Sequence, residues 1–295
     1  MTSAGNSIGF VGLGVMGEPM CRNLARRSGR AVLGFDLSSA PLERLRVHRV
    51  EPAEGLPRLM RDCDTVFLAL PSGKELESVC QGPAGLVALA RPGQTVVDLG
   101  TSPVALTRAL AAAFGRKHAG YADAPIARTR QAAEDGTLSI MVGADDATFE
   151  AIRPLLACMA TDITHCGAVG TGQIVKILNN MVLIETVVAL AEALAVARRE
   201  GLDGTLLFET LAKGSADSFA LRNHGMKAML PGAFPERAFS TEYALKDLSY
   251  ALALAGDTGL ALRGASLAGE LLKEAVEAGH GGLYWPVVSR VIDPA

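Results

Sequence analysis

The sequence predicts a doubly wound α/β domain followed by an all-α domain, and three observations carry that expectation. Through the first half, short runs that are apolar on both faces alternate with helix-period segments. This is the pattern of a parallel sheet with right-handed crossovers. The opening IGFVGLGVMGEPM sets Gly12, Gly14 and Gly17 in a GxGxxG spacing, after a strand-like run and at the start of a helix-like one. After Cys166 the strand signal stops and a long apolar helix begins. Together these describe an α/β, Rossmann-type doubly wound sheet with an all-α C-terminal domain.

Taken in order, the strand candidates are residues 7–13, 31–35, 65–70, 95–99 and 138–142, each rich in Val, Ile, Leu or Phe. All five read as buried parallel strands. Helices are expected over 16–27, 74–90 and 103–114, the last with Ser102 as N-cap and Pro103 at its first position. This first domain covers 1–166. Gly167, Gly170 and Gly172 then punctuate a turn, and 173–199 runs with helical spacing. That helix holds only Lys176, Glu185 and Glu192 before its basic end, so burial on several sides is expected, as between domains or subunits. Helices over 206–212, 241–255 and 261–278 complete a second domain, 167–295, with no strand.

Composition excludes several classes of function. At 295 residues and 49% hydrophobic, the chain can build one large or two ordinary cores. A net charge of -3 and 5% aromatics argue against nucleic acid as partner. No apolar run long enough to span a bilayer is free of charge, and the opening lacks a basic start, so neither a membrane partner nor a signal peptide is expected. Cys21, Cys63, Cys80, Cys158 and Cys166 show no ligand spacing, so neither a metal nor a disulfide framework is expected. A soluble, reduced, cytoplasmic protein is the expectation.

The glycines have a mechanical reading. Gly12 permits a tight turn, Gly14 lets a pyrophosphate approach the backbone, and Gly17 lets the helix pack close to the sheet. Asp36 ends the second apolar run, 19 positions after Gly17. There a carboxylate accepts from the adenosine ribose hydroxyls or caps the helix that follows. No basic residue follows before Arg44, so NAD is expected rather than NADP.

Gly172, Lys176 and Asn180 are four apart and share a helix face. Lys176 either extends its head to solvent or, desolvated among Ile174, Val175, Ile177 and Leu178, acts as an acid/base of lowered pKa.

Four blocks now resemble the β-hydroxyacid dehydrogenases in the right order: GFVGLGVMGEPM, LALPSGKELESV, VVDLGTSP and GTGQIVKILNN, with ALKDL following. The resemblance implies hydride exchange between a nicotinamide and the carbon bearing a hydroxyl or carbonyl. It places Gly12, Leu13, Gly14, Met16, Gly17, Asp36, Leu70, Pro71 and Lys246 at the cofactor, and Thr101 beside both nicotinamide and substrate. Lys176 stands in the catalytic lysine position. Asn180 would hold substrate or lysine, and Asn179 either touches substrate or makes an interhelical bond. Where the family has serine-glycine-glycine to receive a carboxylate, this chain has Ala127-Arg128-Thr129. The Arg128 fork suits an anionic tail, as in sulfolactaldehyde or semialdehyde reductases, unless Arg128 or Arg130 simply pairs with Glu134 or Asp135 at the surface. Tyr284 and Trp285 either wall the pocket or pack a subunit interface. The expectation is therefore a small anionic substrate and a homodimer or homotetramer. An imine reductase and a non-catalytic dinucleotide-binding protein are the alternatives.

Overall fold

The structure is a computed structural model describing residues 7–236 and 238–294. It divides into two compact units between Lys176 and Ile177.

In the first unit, β1 (Ser7–Val11), β2 (Val32–Phe35), β3 (Val50–Pro52), β4 (Cys63–Leu68), β5 (Thr95–Asp98) and β6 (Gly120–Asp123) are parallel. Their spatial order is 3-2-1-4-5-6, the doubly wound order that binds dinucleotides at the carboxyl ends of its strands. Between them run α1 (Gly17–Arg27), α2 (Ser39–Leu45), α3 (Leu56–Asp62), α4 (Gly73–Cys80), α5 (Leu86–Leu89) and α6 (Val104–Gly115). The strands alternate between two cores. Ile8, Phe10, Phe67 and Val97 face one, while Val11, Val66, Leu68 and Val96 face the other.

The sheet continues through β7 (Ile126–Ala127), α7 (Arg130–Asp135), β8 (Leu138–Gly143), α8 (Asp146–Leu156) and β9 (Ala160–Gly167). Here the sequence expectation fails in direction. The 138–142 run is antiparallel to β6 and β7, and parallel only to β9. A run apolar on both faces reads the same in either direction, so its composition carries no sign. The short β3, β6, β7 and β9 were not foreseen.

Two helix boundaries also differ. The single helix expected over 74–90 is broken: α4 ends at Cys80, Gly82 takes φ +86°, and α5 starts only at Leu86. A side chain at Gly85 would lie 2.2 Å from the Gln81 carbonyl oxygen, so the chain doubles back there. The cap of α6 is Pro103 rather than Ser102, because the Ser102 hydroxyl is committed to Asp98 (2.9 Å).

α9 (Thr171–Arg199) begins in the first unit and continues as the central helix of the second. By length and composition it is apolar enough to cross a membrane, and half of its most apolar window is buried inside the protein. Around it the second unit places α10 (Gly204–Leu211), a π-helical stretch Leu221–Met229, α11 (Thr241–Gly256), α12 (Arg263–Ala275), a π-helical turn Val276–His280 and α13 (Ser289–Ile292). Trp285 is fully buried in this core with Ile184, Phe208, Leu248 and Leu272, so it is packing of the unit itself, not a wall or an interface. Tyr284 hydrogen-bonds His224 Nδ1 at 2.5 Å. Burial pushes the His224 imidazole down to about 4.

Candidate active site

The carboxyl edge of the parallel sheet collects the groups of the first unit. β1 ends at Val11 and the chain turns through Gly12, whose φ of +89° favours glycine. A Cβ on Gly12 would lie 2.4 Å from the Ala69 carbonyl oxygen, and one on Gly17 would lie 2.0 Å from that of Gly12. Gly14 is different: nothing lies within 4 Å of its missing Cβ. The turn therefore leaves an open face at Gly14 in front of the α1 N-terminus, where the helix dipole favours an anion, while the Glu18 and Met20 amides already donate to the Gly14 and Met16 carbonyls and Pro19 has none. This cradle fits a pyrophosphate. Leu13 is buried beneath it and Met16 half-buried beside it.

Asp36 follows β2 directly. Its Oδ2 accepts from the Leu13 amide (2.6 Å) and its Oδ1 from the Ser38 amide (2.8 Å). One carboxylate thus braces the glycine turn and starts the α2 approach, and each oxygen retains a lone pair for a hydroxyl donor. Leu70 and Pro71 follow β4, half-buried and exposed respectively.

Thr101 lies on the loop after β5, and that loop is held by two buried side chains. Asp98 accepts from the Gly100 amide (2.9 Å) and the Ser102 hydroxyl (2.9 Å). Gln173, from the first turn of α9, accepts from the Ser102 amide (3.0 Å) and donates to the Gly100 carbonyl (2.9 Å). Its amide also lies 3.4 Å from Asp98. The next strand supplies a second anchor. Asp123, wholly buried, accepts from the Gly170 amide (2.6 Å) and the Gln173 amide (2.8 Å) at the start of α9. Its pKa is raised by burial, against the lowering effect of those backbone bonds, and a negative charge there complements the helix dipole. Gly172 makes the approach possible: a Cβ there would lie 2.5 Å from the Met141 carbonyl oxygen and 2.8 Å from Asp123 Oδ2. The glycine thus accommodates the sheet.

Lys176 follows Gln173 by three positions and is half-buried. The apolar surroundings expected from its sequence neighbours are only partly present. Ile177 is buried, but Val175 and Leu178 are 42% and 39% exposed. Adjacent residues on a helix point in different directions.

In the second unit, Asn180 is buried and donates to Asp247 Oδ2 at 2.6 Å, while the exposed Asn179 donates to the Asn180 oxygen at 3.1 Å. Asp247 forms an ion pair with Lys246 at 3.0 Å. The Lys246 ammonium stands over the Tyr243 and Tyr250 rings at 4.4 and 5.3 Å. ALKDL thus joins the asparagine pair in one polar chain.

Arg128 is held within the first unit. Its guanidinium donates to the Thr137 carbonyl (2.6 Å), Thr161 Oγ1 (3.0 Å) and Asp162 Oδ2 (2.7 Å) along the edge of β8 and β9. Neither Glu134 nor Asp135 is its partner: Glu134 pairs with Arg22 and, at 3.6 Å, with Arg130, as the surface reading expects, and Asp135 accepts from Gln131. Arg128 has φ +86°, a conformation that costs a non-glycine residue energy and persists where surrounding contacts over-determine it. Thr129 caps α7 by accepting from the Ala132 amide.

Sequence reasoning missed Asp98, Asp123 and Gln173. The signal was present as an aspartate ending each of two buried strands, VVD and YAD.

The comparisons with known proteins follow this geometry. The NAD binding domain of 6-phosphogluconate dehydrogenase matches residues 7–167. The NAD-binding domain of NADP-dependent 3-hydroxyisobutyrate dehydrogenase matches 170–284. The chain belongs to the β-hydroxyacid dehydrogenase family. It is similar to the 2-(hydroxymethyl)glutarate dehydrogenase of Eubacterium barkeri, with 36% identity over 83% of this chain and 81% of that one. The 2-hydroxy-3-oxopropionate reductase of Escherichia coli is 32% identical over 93% and 92%. The solved Mycobacterium tuberculosis 3-hydroxyisobutyrate dehydrogenase with L-serine superposes at a TM-score of 0.88 and 30% identity, covering 97% of this chain and 99% of that chain. As a β-hydroxyacid dehydrogenase the protein is an oxidoreductase that uses NAD(P), and the glycine cradle fits that group.

Proposed function

We propose that this protein interconverts a small 3-hydroxyacid and its aldehyde or semialdehyde, with NAD(H) as cofactor and Lys176 as acid/base. The carrying observation is the anchoring of α9. Asp123 and Gln173 tie its first turn to the ends of β6 and β5, so Lys176 is delivered to the sheet edge at which such folds bind ligands. Bound nicotinamide supplies or accepts the hydride. Lys176 Nζ gives a proton to the nascent alkoxide in reduction and takes it back in oxidation, a role worth ~10²–10⁴-fold. Thr101 is assigned to the nicotinamide and substrate side, Asn179 and Asn180 to substrate hydrogen bonds, and Leu70, Pro71 and Lys246 to the cofactor.

Asp36 supports NAD(H) over NADP(H), since a ribose phosphate beside a carboxylate sets like charges together. The anionic tail is assigned to Arg128 and Thr129. The Arg128–Asp162 pair is exposed on both sides, 39% and 57%, and an exposed pair yields readily to a better anion. Exposed Val182 and Val196 on α9 support a homodimer or homotetramer.

The test is NADH oxidation over small aldehyde-acids with carboxylate, sulfonate or phosphate tails, beginning with 2-hydroxy-3-oxopropionate. Turnover of one tail class supports the assignment and names the substrate. Turnover of cyclic imines alone, or NADH binding without any turnover, replaces it.

A further inference from the structure

Gln173 takes no part in the proton or hydride steps above, yet its side chain is wholly buried and both ends of its amide are used. The bonds it makes are selective. The Gly100 carbonyl belongs to the peptide preceding Thr101, and the Ser102 amide to the peptide following it. One amide therefore holds both peptide groups that set the position of Thr101. The same residue donates its own backbone amide to Asp123, and Lys176 follows three residues later on the same helical face.

We propose that Gln173 is a positioning residue that fixes Thr101 relative to Lys176. Two groups assigned to one reacting centre lie on separate elements, the loop after β5 and helix α9, each anchored to its own strand by Asp98 or Asp123 but, without a bond between them, free to shift relative to the other. The Gln173 amide removes that freedom. Asp98 closes the arrangement from below, binding the Gly100 amide and Ser102 hydroxyl, so the loop is held from the strand and from the helix at once. A planar amide is required, since the clamp needs an acceptor and a donor from the same side chain at fixed separation. Reacting groups held to within about an ångström account for up to ~10²-fold in rate.

This inference rests on the proposed function, and its test separates the two. Gln173→Met keeps the length of the side chain and removes every bond. Gln173→Glu keeps the acceptor for the Ser102 amide but, as a carboxylate, loses the donor to Gly100. The full-length protein is assayed with NADH and 2-hydroxy-3-oxopropionate, alongside NADH affinity by fluorescence titration and amide exchange over residues 99–102 with NAD bound. The expected result is a kcat reduced roughly 30- to 100-fold in Gln173→Met and at least as much in Gln173→Glu, whose second carboxylate oxygen would face the Gly100 carbonyl and Asp98, with the dissociation constant of NADH within about twofold of wild type. Exchange at Ser102 should rise in Gln173→Met while the strand amides stay protected. A folded Gln173→Met with wild-type kcat overturns the proposal, as does unchanged Ser102 exchange. A loss of NADH affinity in step with kcat also overturns it, by making the clamp a cofactor support. Should the wild type turn over no aldehyde-acid, the proposed function fails, and the exchange measurement still decides whether Gln173 holds the loop.

Discussion

Replacing Gly172 by alanine tests whether Lys176 acts from a fixed position. The added Cβ would sit 2.5 Å from the Met141 carbonyl oxygen, 2.8 Å from Asp123 Oδ2 and 2.9 Å from the Gly143 amide nitrogen. Two of these are backbone atoms of β8 and cannot rotate away. Ordinary contact begins near 3.4 Å, so the first turn of α9 must retreat by about 0.9 Å. The Asp123 bonds to Gly170 and Gln173, now 2.6 and 2.8 Å, then stretch to about 3.5 Å and cease to be good hydrogen bonds. Charge-assisted bonds contribute ~1.5–3 kcal/mol each. At ~2–4 °C per kcal/mol, losing one of them lowers Tm by about 3–12 °C. A catalytic group displaced by about 1 Å costs up to ~10²-fold, so kcat for aldehyde-acid reduction should fall ~10- to 100-fold. NADH affinity should stay within about twofold, because the Gly12–Gly17 turn rests on Ala69 and not on α9. Steady-state kinetics, NADH titration and a melting curve on one preparation give all three readings. A kcat within twofold of wild type, with the Tm loss present, would refute the claim that the lysine needs this placement.

Lys176→Ala should lower kcat by at least tenfold, toward the ~10²–10⁴-fold of an acid/base, while NADH still binds; a variant that loses NADH instead marks a structural lysine. From Asp36, kcat/KM with NADH should exceed that with NADPH by at least tenfold, and equal values defeat that assignment. Arg128→Ala should lower kcat/KM roughly tenfold to a hundredfold for an anionic aldehyde, from a lost contact of ~1.5–3 kcal/mol, and spare a neutral one. Equal losses on both would leave the arginine as the brace of its own strained turn. His224, with its pKa depressed from 6.5 to about 4 by burial, contributes stability that is complete above pH 6.5 and is lost as pH falls toward 4. The loss reaches about 3 kcal/mol at ~1.4 per unit. Against His224→Gln, which stays neutral, the wild-type melting temperature should therefore fall further between pH 6.5 and 4.5, and a constant difference between the two would contradict it.

What the sequence disclosed depended on whether the cause was local. The glycine turn, the aspartate closing β2 and the lysine on its helix follow from spacing within one or two elements, and a short window displays them. The antiparallel insertion of β8 depends on strand direction, which a doubly apolar run does not encode. The break between α4 and α5 was visible in the Gly-Pro pair at Gly82 and Pro83 but was outweighed by the helical pattern on either side. Asp123 and Gln173 escaped because their partners lie 47 to 75 positions away, whereas Asp98, whose partners Gly100 and Ser102 are local, was hidden inside a strand pattern. Each reads as an ordinary polar residue until the strands are laid side by side. Arg128 adds a different case: its motif position suggests a ligand, and the pairing it makes in the structure, with Asp162, lies 34 residues away, where a short window does not reach.

The contrast among the three glycines of the opening turn bears on how this protein can be re-engineered. Gly12 and Gly17 are interlocked, each excluded from change by a main-chain carbonyl, so a mutational library that varies them samples mostly unfolded chains. Gly14 faces open space and answers only to what the turn must receive. The pyrophosphate it receives is common to all dinucleotides, so a selection for growth on a different one should leave all three glycines untouched and enrich changes at and beyond Asp36.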